Sequence, residues 1–84
     1  MITITVMNDS IRAVGHANYA ESGKDIVCSA VSCLMQTLAL RGKATKTDGF
    51  MVIHTVNKEA LKLIVEGLKQ IATNYPLNVE VLNE

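Results

Sequence analysis

Few side chains in this chain can do more than pack, and two of them lie close together. His16 and Cys28 stand twelve positions apart, with Gly15 before the histidine and Gly23 and Asp25 before the cysteine. A thiolate attacks carbonyl carbon. A histidine can hold that thiolate as its imidazolium partner and then return a proton to a leaving amine. The pair is therefore the smallest set that supports thiol acyl transfer. Asp25 is a good helix N-cap, which makes Cys28 the third residue of the helix that follows. In a first turn, unpaired N–H groups and the positive end of the helix dipole favour thiolate. N–H groups of that turn, the one on Cys28 included, are candidates for an oxyanion hole. Asp25 has two readings: a cap that accepts from the N–H of Val27 or Cys28, or a third catalytic member that orients His16. The cap is the simpler geometry. Taken singly, Cys28 reads as a small packing residue and His16 as a solvated loop histidine. Their placement at the two mouths of one loop brings the catalytic reading forward.

Other residues carry less. Cys33 lies five positions after Cys28, about 140° further round a helix of ~3.6 residues per turn. The two cannot share a disulfide within one helix, so Cys33 reads as core packing and is a poor resolving thiol for redox sensing. His16, Cys28, Cys33 and His54 match the spacing of no zinc module. His54 falls inside a strand, as a cross-strand or interface residue. A phosphatase loop needs an arginine shortly after its cysteine, and Leu34 stands there instead. Arg41, Lys43 and Lys46 read as a solvated helix end and turn, with too few aromatic residues nearby for RNA binding. No cofactor and no metal is called for.

The positioning elements follow from periodicity. Ile2, Ile4 and Val6 alternate with Thr3, Thr5 and Met7 as a strand, and Asn8-Asp9-Ser10 turns it into Ile11–Val14, a β-hairpin. Residues 15–25 are polar, without period and with glycine near each end. This is a mobile loop that a bound peptide could order. Val27, Ala30, Val31, Leu34 and Leu38 recur at helical spacing, predicting a helix over Ile26 to Arg41 with Gly42 as its stop. Ala44 to Asp48 is short and polar, with room for an extra strand, and Asp48-Gly49 is a turn signal. Phe50 to Val56 reads as a strand. Asn57 caps a second helix with Leu61, Ile64, Val65, Leu68, Ala72 and Tyr75 on its apolar face, and Tyr75-Pro76 ends it. Gly67 inside that helix costs roughly 1 kcal/mol against alanine, which close packing would explain. Leu77, Val79 and Val81 form a last strand. The order is β-β-α-β-α-β. The fold class is α+β, a two-layer sandwich with a mixed, mostly antiparallel sheet and two helices on one face.

Composition bounds the rest. The chain has 84 residues, 49% hydrophobic and 19% charged, enough for one small domain over 1–84 and no second core. Eight Lys and Arg balance eight Asp and Glu, which argues against direct nucleic-acid binding. Two cysteines do not make a disulfide scaffold. The longest uncharged stretch, Ile26 to Leu40, is shorter than the ~20 apolar residues of a membrane helix, and no basic segment followed by an apolar run opens the chain. The expectation is a cytoplasmic protein with reduced thiols. Its apolar, uncharged balance favours self-association as a homodimer.

One local stretch is specific. Gly15-His16-Ala17, Gly23-Lys24-Asp25-Ile26-Val27-Cys28-Ser29-Ala30 and then Ser32 resemble the ribosomal-processing cysteine protease family, Prp, which carries a GHA segment and a DIVCA-like segment at this spacing. The match is dense over Gly15 to Ser32. The resemblance implies a homodimeric cysteine endopeptidase. It would remove the N-terminal extension of a bacterial large-subunit ribosomal protein precursor, with phage structural precursors as further substrates. It implies His16 and Cys28 as the catalytic dyad. Gly15, Gly23, Asp25, Ser29 and Ser32 are then the loop and substrate-binding set. Ser29 departs from the alanine usual after the cysteine, and the segment from Lys43 to Phe50 looks shortened. The competing reading is a non-catalytic dimeric module, ribosome-associated or regulatory, on the same fold. Such a module needs no reactive thiol.

Overall fold

A computed structural model describes residues 1–21 and 25–83. Five strands and two helices follow one another as β1 (Ile2–Val6), β2 (Ser10–Val14), α1 (Ile26–Ala39), β3 (Lys43–Thr47), β4 (Phe50–His54), α2 (Lys58–Asn74) and β5 (Val79–Asn83). The strands form one sheet in the order β3-β4-β2-β1-β5. All neighbours are antiparallel except β1 and β5, which run parallel. The α+β sandwich is thus as expected, with β3 added to the β-β-α-β-α-β order.

Alternation decides which face is covered. Ile2 and Ile4 of β1, Ile11 of β2, Met51 and Ile53 of β4 and Val79 of β5 are buried, and they meet in register, Ile11 against Ile53 and Ile2 against Val79. Their alternates Arg12, Val14, Phe50, His54, Glu80 and Leu82 are exposed. One face therefore carries the helices. The connections explain why they share it. β2-α1-β3 and β4-α2-β5 are both parallel crossovers. β2 and β4 run in opposite directions, and the two crossovers step in opposite directions across the sheet. A half turn about the sheet normal maps one onto the other, so the right-handed preference places both helices on the same side.

α1 buries Val27, Val31, Met35 and Leu38, and α2 buries Leu61, Ile64, Val65 and Leu68, all in one core with the sheet residues. Asn57 caps α2 by accepting from the N–H of Ala60 at 2.9 Å. Gly67 has the reason anticipated for it: a Cβ there would lie 3.0 Å from Leu34 Cδ1, so its absence lets α2 approach α1. α1 stops at Ala39, two residues before the expected Arg41. Its last carbonyls are taken in a tight turn, Arg41 N–H to Leu38 at 2.9 Å and Gly42 N–H to Ala39 at 3.3 Å, and Thr55 Oγ1 then donates to the Arg41 carbonyl at 2.7 Å. β4 ends at His54 rather than Val56, because buried Thr55 turns away to make that bond and to accept from the N–H of Asn57. Val56 is left almost fully exposed.

Candidate active site

The first turn of α1 is organised by one carboxylate. Asp25 Oδ1 accepts from the N–H of Cys28 at 2.9 Å, while Oδ2 accepts from the N–H groups of Tyr19 at 3.0 Å and Ala20 at 3.5 Å. The Cys28 N–H, ahead of those of Tyr19, Ala20 and Val27, holds the Asp25 carboxyl below the usual aspartate range, with burial opposing. Of its two readings, Asp25 takes the cap. The bonds it makes run to the backbone amides of Cys28, Tyr19 and Ala20 and not to His16. The same bond corrects the oxyanion expectation: the Cys28 N–H is committed to Asp25 and is not free to meet a developing oxyanion.

The loop before α1 is more tied down than its composition suggested. Ala17 is buried, and its carbonyl accepts from Asn78 Nδ2 at 2.9 Å. The Tyr19 ring stands edge-on to Tyr75 with centroids 5.2 Å apart. Polar residues 15–21 are thus anchored by main-chain hydrogen bonds that leave no trace in hydrophobic periodicity. Gly23 lies outside the described residues.

His16 follows the end of β2. Gly15 has φ +101°, and a Cβ on it would strike the Met1 carbonyl oxygen at 2.3 Å, so only glycine turns the chain here. The Gly15 N–H donates to the Gly49 carbonyl at 2.8 Å, which docks the β3–β4 turn against the histidine. Gly49 has φ +70°, and its missing Cβ would lie 3.1 Å from His16 Nε2. The same nitrogen is 3.8 Å from Asp48 Oδ1.

His16 and Cys28 line one open cavity of about 480 Å³. Gly15 and Ser32 line it as well, Ser32 one helical turn after Cys28. Its apolar wall is Ile2, Ala13, Val31, Met35 and Met51, and its rim is the turn from Lys46 to Phe50. Cys28 is half-buried and packs on the core by one side. Ser29 does not reach the cavity: its hydroxyl is exposed and donates to the Asp25 carbonyl at 3.1 Å. Cys33 is exposed and not in the core as expected. Its position on α1 faces neither the sheet nor α2, the sides from which Val27, Val31 and Met35 are buried. His54 belongs to another hollow, with Asp9, Arg41 and Lys43, at the far end of β4. The arrangement brings a thiol and an imidazole to the lining of one open cavity.

Sequence reading placed Lys46 in a solvated basic cluster, Asp48-Gly49 in a turn and Phe50 at the start of a strand, and missed that this segment rims the cavity. The Asp48-Gly49 pair was the available signal. What it faces depends on β3 pairing with β4, a long-range fact.

A family model described as Cysteine protease Prp matches residues 1–80. A ribosomal processing cysteine protease Prp of Mycoplasma pneumoniae is 31% identical over 90% of this chain and 88% of its own length. One from Mycoplasma genitalium is 35% identical over 100% of this chain and 96% of its own. Among solved structures, an essential ribosomal processing protease Prp from S. aureus, in complex with a covalently linked product peptide, superposes with a TM-score of 0.89. It is 24% identical, and both chains are covered completely. The S. aureus protease with a substrate peptide gives 0.81 at 23% identity, again over both whole chains. At those identities the structures speak for the fold.

Proposed function

The chain belongs to the cysteine protease Prp family, and from that premise we propose that it removes the N-terminal extension of a bacterial large-subunit ribosomal protein, using His16 and Cys28 as its dyad. The observation that carries the dyad is the shared cavity: the residue after β2 and the first turn of α1 bring an imidazole and a thiol to one groove of about 480 Å³. In the reaction the Cys28 sulfur bonds to the scissile carbonyl carbon. The C–N bond breaks as His16 gives its proton to the leaving amine. Water then adds to the thioester, losing a proton to His16, and the acid leaves as the thiol is restored. Asp25 holds the first turn, Gly15 lets the chain bring His16 round, and Ser32 lines the groove. The substrate is a protein segment in extended form. No helix among the described residues is long and apolar enough to cross a membrane. The reading places the enzyme in the cytoplasm with its ribosomal substrate, as one catalytic domain over 1–84 and as a homodimer.

The test is direct. The protein is mixed with a ribosomal precursor carrying its N-terminal extension, and the products are weighed by mass spectrometry. A shortened product from wild type, none from Cys28→Ser and none from His16→Ala is the expected result. Equal cleavage by Cys28→Ser would overturn the dyad. An intact precursor with wild type would overturn the substrate.

A further inference from the structure

The reaction needs His16 in one orientation, and the bonds Asp25 makes run to the backbone amides of Cys28, Tyr19 and Ala20 rather than to the imidazole. Another carboxylate stands beside the ring. Asp48 Oδ1 lies 3.8 Å from His16 Nε2, and the Asp48 side chain is fully exposed, so packing does not account for its place. Three backbone features hold it there. The Gly15 N–H donates to the Gly49 carbonyl, which ties the turn to the residue before His16. Gly49 takes φ +70°, a conformation that closes the β3–β4 hairpin tightly. And Gly49 lacks the Cβ that would press on Nε2 at 3.1 Å. The titratable groups lining this cavity are His16 and Cys28 themselves, Asp48, and Lys46 on β3.

Resting on the dyad reading, we propose that Asp48 is the positioning residue of this active site: its carboxylate accepts from the Nε2–H of His16, fixes that tautomer, and leaves Nδ1 for the Cys28 thiol. At 3.8 Å the pair is a charge contact rather than a hydrogen bond, and catalytic hydrogen bonds of this kind shorten in the complex with substrate. Asp48 touches no reacting atom. It restricts the ring, so it acts on turnover and not on peptide binding. At an exposed pair the effect is modest, about fivefold on kcat. The turn that carries it is formed by β3, so the hairpin supplies the third member that the loop before α1 does not.

The experiment has two arms. In the first, ¹⁵N chemical shifts of the His16 ring nitrogens report the neutral tautomer in wild type, Asp48→Ala and Asp48→Asn, with His54 as internal control. Wild type and Asp48→Asn, whose side-chain oxygen can still accept, should show the Nε2–H form. Asp48→Ala should show a mixture, with His54 unchanged. In the second, cleavage kinetics on the ribosomal extension peptide should give about a fivefold lower kcat for Asp48→Ala at unchanged KM, with Asp48→Asn recovering most of it. The same tautomer in all three proteins, or a raised KM at wild-type kcat, would overturn the proposal. The ring shifts need no turnover, so failure of the wild type to cleave the peptide would count against the substrate and leave the Asp48 reading to the first arm.

Discussion

At Asp25 one side chain does three things: it caps α1, gathers the amides of Tyr19 and Ala20, and so sets the loop that leads from His16 to Cys28. Its carboxyl is held below the ordinary value of 3.8 by those amides, Cys28 first. A carboxyl lowered on folding binds its proton less readily in the native state. Its stabilisation is therefore complete above the unfolded value and is lost as pH falls through the lower native one. Comparing urea unfolding of wild type and Asp25→Asn across pH should give a constant gap above about pH 5 that shrinks below about pH 4. A gap that stays constant down to pH 2 would refute the charged cap. The two thiols separate by a different measurement. Cys33 is exposed, so iodoacetamide should add twice to wild type and once to Cys33→Ser. Cys33→Ser should cleave as wild type does, because nothing of Cys33 lines the cavity. Loss of cleavage in folded Cys33→Ser would remove Cys28 from its role as sole nucleophile.

Among the elements, the helices and β4 were readable, and β3 only as room for a short extra strand. Asp25 and Asn57 are short polar acceptors standing just before apolar residues at helical spacing, and both caps form as their chemistry dictates. Gly67 announced close packing by its cost in a helix. β3 gave a weaker sign: all five of its residues are exposed, so no buried alternation marks it, and its pairing with β4 holds it. His16 and Cys28 were legible as types at a spacing, whereas the turn that rims their cavity was legible only as a turn. Cys33, read from helical spacing as core packing, lies at the surface, and Ser29, placed by the resemblance in the substrate-binding set, turns back onto Asp25. The hairpin then carries its own prediction. Gly49→Ala places a side chain at φ +70°, at a strain of about 1–2 kcal/mol, and its Cβ meets His16 Nε2. The melting temperature should fall by roughly 5–15 °C, which is what that strain produces in a chain this short, and kcat should fall with it. A folded variant with wild-type kcat would show that the turn does not bear on the histidine.

On the scale of the whole molecule, the sheet has one face under two helices and one face open. The open face presents apolar side chains on neighbouring strands: Val14 of β2 beside Phe50 of β4, and Leu82 of β5, at 41%, 37% and 47% exposure. A chain of 84 residues buries only about 60–65% of its unfolded surface, so a second copy laid on this face would add stability that the single core lacks. The net charge of zero puts no long-range repulsion between copies. A dimer that meets through a sheet face would leave the apolar wall of the active-site cavity, Ala13, Met51, Val31 and Met35, on the helix side, with Phe50 shared between the cavity rim and the open face. Light scattering at micromolar concentration should therefore report twice the 9.1 kDa chain. Val14→Lys with Leu82→Lys places two positive charges on the open face without touching a buried residue. This variant should run as a monomer, keep its circular dichroism spectrum, melt at lower temperature than wild type, and lose the concentration dependence of its melting point. A wild type that is monomeric at these concentrations, or a double variant that remains dimeric, would move the partner surface off this face.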